Sequence, residues 1–345
     1  MMAAEKKRIR KLTIAKAMSE AIDQAMTSNP DVFVMGEDVG KLGGVFGTTT
    51  GLFDKYGPDR VRDTPISETG FIGAAAGAAV MGMRPVVELM FIDFFGVCMD
   101  VIYNFAAKNS YFSGGRQAVP MVLMTSAGGG YSDGGQHSQC LYTTFAHLPG
   151  LKVVMPSNAY DAKGMMTAAI NDDNPVIFIF HKSLQGMGWL GTAKGAIVDV
   201  PETVYEVPLG KANISREGSD ITVVGFGNTV HHALDAARDL ALEGISAEVV
   251  DLRSLAPLDR ETVLASVRKT GRLLAVDDDH LSYGWTGEVI ASVAEAGIAL
   301  KCPARRIAYP DVPVPFARPM EQFLLPNAEK VKAAVLSLMN SVVSV

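Results

Sequence analysis

The chain has 345 residues, of which 48% are hydrophobic and 20% charged, with a formal net charge of −6 and a pI of about 5.6. This composition is typical of a soluble globular protein of about two domains, and the acidic balance argues against nucleic acid as a partner. No apolar run reaches the roughly 18 residues of a membrane span, because Arg84-Pro85 ends the longest candidate.

Short apolar runs alternate with helical patterns from one end of the chain to the other. Several runs are continuous rather than alternating, which is typical of strands covered by helices on both faces. Such alternation indicates parallel sheets joined by crossover helices, so the expected fold class is α/β with two doubly wound, mostly parallel sheets. The predicted strands are residues 32–35, 86–90, 121–125, 152–155, 176–180, 221–225, 247–251, 273–277 and 305–308, and the predicted helices are 12–27, 159–170, 229–243, 262–268 and 286–295.

Two segments interrupt this pattern. Residues 72–83 are rich in glycine and alanine, which allows another backbone to approach closely, either within the domain or at a subunit interface. Residues 183–217 are rich in glycine, proline and polar side chains without a helical period, so we place a domain boundary near residue 200. The expected domains are residues 1–200 and 201–345.

A carboxylate stands where the small-residue helix begins. Ser67 is a plausible N-cap, which puts Glu68 in the first turn, where the helix dipole favours a negative charge. Ordinary helix-start preference explains this placement. The alternative is a carboxylate at the edge of an apolar pocket that exchanges a proton with a ligand.

Aromatic residues follow the strand predicted at 86–90. They are Phe91, Phe94 and Phe95, and a place in the core is the default expectation for Phe91 and Phe95. The carboxyl end of a strand is also where open α/β sheets bind ligands, so one of these rings could stack on a planar group.

A glycine-rich loop follows the strand predicted at 121–125. It contains Gly128-Gly129-Gly130 and Gly134-Gly135 and then His137, and it lacks the Gly-Lys-Ser/Thr of a Walker loop. The glycines would allow mobility and close approach to a substrate. His137 is interpreted either as a surface group or as a catalytic imidazole carried by the loop.

The turn Gly225-Phe226-Gly227 follows a predicted strand and opens a helix, with Asp251 at the end of the next strand. This is half of a dinucleotide fingerprint, and Val230 stands where the third glycine would be needed. The simpler interpretation of these residues is a tight turn between a strand and a helix. The alternative is that they bind NAD, which would make the protein a dehydrogenase with its cofactor on the second domain. Three well-separated cysteines, Cys98, Cys140 and Cys302, predict reduced thiols and a cytoplasmic location.

Together these blocks resemble the β subunit of the thiamine-diphosphate-dependent first component of 2-oxo-acid and acetoin dehydrogenase complexes. The matching blocks run in one order along nearly the whole chain: Gly36-Glu37-Asp38, residues 64–70, Gly82-Met83-Arg84-Pro85-Val86 with Glu88, Gln136-His137-Ser138-Gln139, residues 147–154, Tyr160-Asp161-Ala162-Lys163-Gly164, Val250-Asp251-Leu252-Arg253, Pro257-Leu258-Asp259 and Asp311-Val312-Pro313-Val314-Pro315. The resemblance implies a thiamine pyrimidine-binding domain followed by a transketolase C-terminal-like domain.

The resemblance also implies roles for single residues. Glu68 would bond the aminopyrimidine ring of thiamine diphosphate, Phe94 would stack on that ring with Met90 nearby, and His137 would assist substrate protonation or acyl transfer to lipoyl. Some family members bind a structural potassium ion through main-chain carbonyls that correspond to Met121, Ala169, Ile170, Asp172 and Asn174.

The Gly-Asp-Gly motif by which the family binds diphosphate and magnesium is carried on an α subunit, and it is missing here. The resemblance therefore implies half an active site, an α subunit that holds magnesium, and an α2β2 tetramer with thiamine at the α/β interfaces. A lipoyl-bearing acyltransferase core is the next partner implied, docking on the second domain. The third class of function is a non-catalytic interaction subunit, which would not need Glu68.

Three blocks lie closest to the acetoin branch: Gly43-Gly44-Val45-Phe46-Gly47, residues 88–94 and Ala233-Leu234-Asp235-Ala236-Ala237. The loop 128–135 is more like that of general oxo-acid members. Acetoin, pyruvate and branched-chain oxo acids all stay open as the small-molecule substrate.

Overall fold

The computed structural model describes residues 10–186 and 191–341, and strands form at every position where an apolar run was predicted. The short strands at 11–12, 61–63, 198–199, 213–216 and 254–256 were not predicted, because two to four residues carry too little pattern. In chain order the strands are β1 (Lys11–Leu12), β2 (Val32–Gly36), β3 (Val61–Asp63), β4 (Arg84–Phe91), β5 (Val122–Ala127), β6 (Lys152–Val154), β7 (Val176–His181), β8 (Val198–Asp199), β9 (Asn213–Arg216), β10 (Ile221–Gly225), β11 (Ala247–Asp251), β12 (Ser254–Ala256), β13 (Leu273–His280) and β14 (Arg305–Tyr309).

The predicted helices also form, with ends displaced by one or two residues. The small-residue helix begins at Glu68, four residues before the glycine-rich segment that predicted it. In chain order the helices are α1 (Ile14–Ser28), α2 (Leu52–Tyr56), α3 (Glu68–Val80), α4 (Phe95–Asp100), α5 (Asn109–Phe112), α6 (Tyr142–Ala146), α7 (Ala159–Asn171), α8 (Asn228–Leu242), α9 (Arg260–Thr270), α10 (Trp285–Glu295), α11 (Arg318–Leu324) and α12 (Ala328–Met339).

The larger sheet has the strand order β12-β6-β7-β5-β4-β2-β3, and it is parallel from β6 to β3. Every residue of β5 and β7 is buried, because α1 and α7 cover one face while α3 and α4 cover the other. Val86 and Val87 illustrate the alternation: they are neighbours on β4 and belong to the cores on opposite faces. The carboxyl ends of β2, β4 and β5 meet at one edge, which carries the candidate site.

A second sheet has the order β14-β13-β10-β11-β9, parallel except for the antiparallel edge strand β9. Helices α8 and α12 pack on one of its faces. Strands β1 and β8 form a separate antiparallel pair. The predicted α/β class with two doubly wound sheets is therefore confirmed.

The sheets are not built from two separate halves of the chain. Strand β12 lies in the second half, yet it pairs antiparallel with β6, with Ser254 opposite Val154. The second half thus completes the edge of the first sheet. Among the described residues, no helix combines the length and the apolar character that a bilayer crossing requires.

Candidate active site

Glu68 lies at the start of α3, half-buried, with Ser67 in the N-cap position. The Ser67 side chain makes no capping hydrogen bond, so main-chain N–H groups at this end keep their positive field for the carboxylate. The Thr69 hydroxyl donates to the carbonyl oxygen of Val97 across 2.5 Å. This bond ties the first turn of α3 to α4, the helix that directly follows Phe94.

Glu37 is a second carboxylate in the same region, directly after β2. Its Oε1 is buried and has no hydrogen-bond partner among the described residues. Burial, and then the negative charges of Glu68 and Asp38, raise the pKa of Glu37 above its ordinary value. In the sequence, Glu37 stands out only as part of the block Gly36-Glu37-Asp38. Its position after a buried strand was the signal that could have marked it as a site residue.

Three rings pack edge to face at the carboxyl end of β4. The ring centroid of His137 lies 4.8 Å from that of Phe91 and 5.4 Å from that of Phe94, and the two phenyl centroids are 5.5 Å apart. All three side chains are half-buried, so each keeps a part of its surface open. The structure thus brings together Phe94 and His137, which are 43 positions apart in the sequence.

Met90 lies at the irregular end of β4. The pairing of β4 with β5 shifts register between Leu89 and Phe91, which leaves Met90 out of the ladder. The Ser126 hydroxyl satisfies the freed carbonyl oxygen of Met90 across 2.7 Å. The bulge changes the direction of the strand just before Phe91 and Phe94, and so directs these rings toward the site.

The glycine-rich loop, residues 128–139, is held by the buried side-chain ammonium of Lys182. Lys182 is 1% exposed, and its Nζ donates to the carbonyl oxygen of His137 at 2.6 Å and to Asp133 Oδ2 at 2.7 Å. The same ammonium lies 5.6 Å from the ring centroid of Phe91. Lys182 therefore connects the backbone of His137 with the aromatic group, and the sequence offered no signal for it.

The glycines of this loop serve close packing against the protein itself. A Cβ on Gly128 would lie 2.1 Å from His181 Nε2, and Gly128 has a φ of +103°. At the far end of the loop, Asp93 Oδ1 accepts hydrogen bonds from the Gln139 side chain at 2.8 Å and from its N–H at 3.2 Å. These contacts hold the loop at its two ends, Gly128 and Gln139.

Glu88 is fully enclosed on β4, beneath the loop that follows β2. The Thr48 hydroxyl donates to its Oε2 across 2.5 Å, while Oε1 has no partner among the described residues. Burial raises the pKa of Glu88 to about 7, although the bond from Thr48 acts in the opposite direction. This carboxyl group is therefore held largely protonated below neutral pH.

The carbonyls predicted to bind potassium lie where α7 ends and where β5 and β7 begin. The Arg84 guanidinium donates to the carbonyl oxygens of Ile170, at 2.9 Å, and Asp172, at 3.1 Å. A carbonyl oxygen has two lone pairs, so each of these oxygens keeps one for a cation. A cation at these oxygens would have to share them with the Arg84 guanidinium, whose positive charge opposes it. The predicted donors are Met121, Ala169, Ile170, Asp172 and Asn174.

The turn considered for dinucleotide binding is covered by the first half of the chain. A Cβ on Gly227 would lie 2.4 Å from Met155 Cε, so the methionine side chain fills the space over the turn. His231 Nε2 donates to the carbonyl oxygen of Ser157 across 2.7 Å and holds α8 against the same surface. A pyrophosphate at this helix start would have to displace Met155, which disfavours NAD binding here.

Comparison with known proteins agrees with this fold. Residues 10–187 match the family described as transketolase, pyrimidine binding domain, and residues 210–331 match transketolase, C-terminal domain. The β subunit of acetoin:2,6-dichlorophenolindophenol oxidoreductase from Cupriavidus necator is 47% identical over 96% of this chain and 98% of its own length. The pyruvate dehydrogenase E1 component subunit beta-2, mitochondrial, from Oryza sativa subsp. japonica is 44% identical over 94% of this chain and 85% of its own.

Among solved structures, a split-gene transketolase in an inactive β4 tetramer superposes with a TM-score of 0.74 at 24% identity, over 96% of this chain and 99% of that one. This likeness concerns the fold. The sequence relatives align with nearly the whole chain. The chain belongs to the family of β subunits of thiamine-diphosphate-dependent acetoin and 2-oxo-acid dehydrogenases.

Proposed function

We propose that this chain supplies the pyrimidine-binding half of a shared active site, in an enzyme that acts on acetoin. The observation that carries the proposal is the edge-to-face packing of Phe94 and His137. The bond from Thr69 to Val97 ties the start of α3, where Glu68 lies, to the helix that directly follows Phe94. A carboxylate, an aromatic face and an imidazole at one sheet edge are what recognition of a flat, protonatable heterocycle requires.

The residues present fit thiamine diphosphate. Glu68 would accept or share a proton with a ring nitrogen, and Phe94 would offer its exposed surface to the ring. The unpartnered buried Oε1 of Glu37 is a second acceptor in this region. When bound, the cofactor supplies an electron sink for cleavage next to a carbonyl. In this chain, Glu68 holds the proton at the ring nitrogen, and His137 donates or accepts a proton on the substrate side.

The partners follow from what the chain lacks. We propose an α subunit that contributes the diphosphate and magnesium half of the site, in an α2β2 tetramer. A lipoyl-bearing acyltransferase core would accept the acyl group and dock on the second domain. A potassium ion at the end of α7 would be structural. We also propose a domain boundary near residue 200 and a cytoplasmic location. The proposed cofactor-binding residues are Glu68, Met90 and Phe94, and the proposed catalytic residues are Glu68 and His137.

Acetoin is preferred as substrate because the acetoin relative is the more similar of the two over the longer alignment. Pyruvate is the second candidate, since the pyruvate dehydrogenase relative is only slightly less similar. The test is a substrate panel on the reconstituted αβ enzyme with an artificial electron acceptor. Turnover of acetoin well above that of pyruvate and branched-chain oxo acids is expected. A preference for either oxo acid would overturn the assignment of substrate but leave the shared site untouched.

The shared site has its own test. Calorimetry should detect no tight binding of thiamine diphosphate with magnesium to the β chain alone, and micromolar binding after addition of the α subunit. Micromolar binding to the lone β chain would contradict the proposal that the diphosphate half of the site lies elsewhere.

A further inference from the structure

The glycine-rich loop wraps around a carboxylate from the second half of the chain. Glu321 lies on α11 and is fully buried. Its Oε1 accepts a hydrogen bond from the N–H of Gly130 at 2.7 Å, and its Oε2 accepts one from the N–H of Ser132 at 2.9 Å. Two oxygens of one carboxylate thus bind two main-chain donors of the loop.

The backbone conformation explains why the loop accepts an anion here. Gly130 has a φ of +104° and Ser132 a φ of +63°, and left-handed residues of this kind turn nearby N–H groups toward a common point. Such a concavity usually binds phosphate or another anion, and here the protein fills it with its own side chain. No ion pair of the described residues includes Glu321, so main-chain donors compensate its buried charge.

Glycine is needed next to this carboxylate. A Cβ on Gly129 would lie 2.9 Å from Glu321 Oε1, closer than side-chain atoms normally approach. Glu321 therefore holds residues 130–132 from one side, while Lys182 holds the carbonyl of His137 from the other. Both charges are buried, so neither contact is weakened by solvent screening.

We infer that Glu321 is a positioning residue, by which the second half of the chain sets the place of the His137 imidazole in the active site. This inference rests on the proposed role of His137. Glu321 lies 184 positions away from His137 in the sequence and holds the loop through main-chain atoms alone. A movement of α11 would therefore shift the loop and change the distance from His137 to its substrate.

The test compares Glu321→Gln with Glu329→Gln in the assembled αβ enzyme. The first substitution keeps the side-chain volume but replaces one acceptor oxygen by an amide that cannot accept from an N–H. The control removes a carboxylate of the same length from the exposed first turn of α12. Hydrogen exchange of the 128–139 segment, the lipoyl-transfer rate and the thiamine affinity are measured for each.

Faster exchange in the 128–139 segment is expected for Glu321→Gln, together with a loss of about tenfold in the transfer rate, ~1.4 kcal/mol in the barrier. Thiamine affinity should stay within about twofold of wild type, because the pyrimidine side of the site is not held by this contact. In combination with His137→Ala, Glu321→Gln should cause no further loss, since it acts through the imidazole. A full tenfold further loss in the double variant, or values equal to the Glu329→Gln control, would overturn the inference.

A second variant approaches the contact from the loop. Gly129→Ala places a methyl group against Glu321 Oε1 without changing any residue of α11, and it should reproduce the faster exchange and the lower transfer rate. If Glu321→Gln fails to assemble, the Gly129→Ala variant tests whether this contact positions the loop. Should His137→Ala leave transfer unchanged, the proposed role of His137 fails. Hydrogen exchange in the 128–139 segment still tests whether Glu321 positions the loop. Deuterium uptake in the Glu321→Gln variant equal to that in the Glu329→Gln control would contradict this.

Discussion

The buried ammonium of Lys182 donates to the main-chain carbonyl oxygen of His137 across 2.6 Å, and its second bond goes to Asp133 across 2.7 Å. The two residues belong to different elements, β7 with the turn that follows it and the loop that follows β5. Because β5 and β7 are neighbours in the sheet, both segments leave at the same edge. The imidazole of the same residue packs edge to face against the phenyl rings of both Phe91 and Phe94.

Removal of this ammonium should destabilise the loop. Lys182→Met keeps most of the side-chain volume but leaves the carbonyl of His137 and the carboxylate of Asp133 without their donor. We expect a loss of about 1–3 kcal/mol in the free energy of unfolding, as for other buried groups left unsatisfied. Thermal unfolding of the assembled enzyme measures it, with the exposed Lys194→Met as the matched control. Equal midpoints for the two variants would contradict the structural role of Lys182.

Glu68→Gln should leave assembly intact and reduce turnover by at least about 100-fold, the usual contribution of a positioned acid–base group. The amide cannot share a proton with a ring nitrogen as the carboxylate does. The matched control is Glu261→Gln, which removes an exposed carboxylate from the first turn of α9 and therefore tests the helix-start role alone. Steady-state turnover near the wild-type value in a correctly assembled Glu68→Gln enzyme would support the simple helix-start interpretation instead.

His137→Ala should impair lipoyl transfer more than it impairs cofactor binding. The imidazole packs on Phe91 and Phe94 with part of its surface open, so its loss removes a proton donor from the substrate side. The artificial-acceptor rate, the lipoyl-transfer rate and the thiamine affinity are compared with those of the exposed His147→Ala variant. If all three stay within about twofold of wild type, less than roughly 0.5 kcal/mol, then His137 has no catalytic role.

Glu88 should make the stability of the protein depend on pH. Burial raises the pKa of this carboxyl to about 7 from an ordinary value of 4.5. Between pH 4.5 and pH 7, therefore, the carboxyl keeps its proton in the folded chain but has lost it in the unfolded chain. Stability therefore falls as the pH rises from about 4.5 to about 7, by at most about 3 kcal/mol, and is level above that range.

Glu88→Gln removes this titration and can still accept the hydrogen bond from Thr48. Relative to wild type, the variant should gain stability as the pH rises from 5 to 8, which thermal unfolding at several pH values measures. Glu329→Gln, at an exposed position, should show no such trend. A difference between the Glu88→Gln variant and wild type that does not change with pH would mean that Glu88 is ionised in the folded protein.

Several features of this protein could be read from the sequence by itself. Apolar runs alternating with helical periods predicted the α/β class and the longer strands of the two large sheets, because strand and helix periodicity are local properties of the chain. The blocks around Glu68 and His137 predicted the family. Even the missing diphosphate motif, which implied a partner subunit, is a property of the sequence.

Only the tertiary structure decided how these parts meet. Strand β12 completes the first sheet from the second half of the chain, and Glu321 holds a loop that lies about 190 positions before it. Neither contact could be recognised in the sequence, because hydrogen bonds between distant segments impose no periodicity on the residues of either segment. A buried charge such as Lys182 or Glu321 looks like an ordinary surface residue until its partners are known, since burial and pairing are set by the packing of the whole chain.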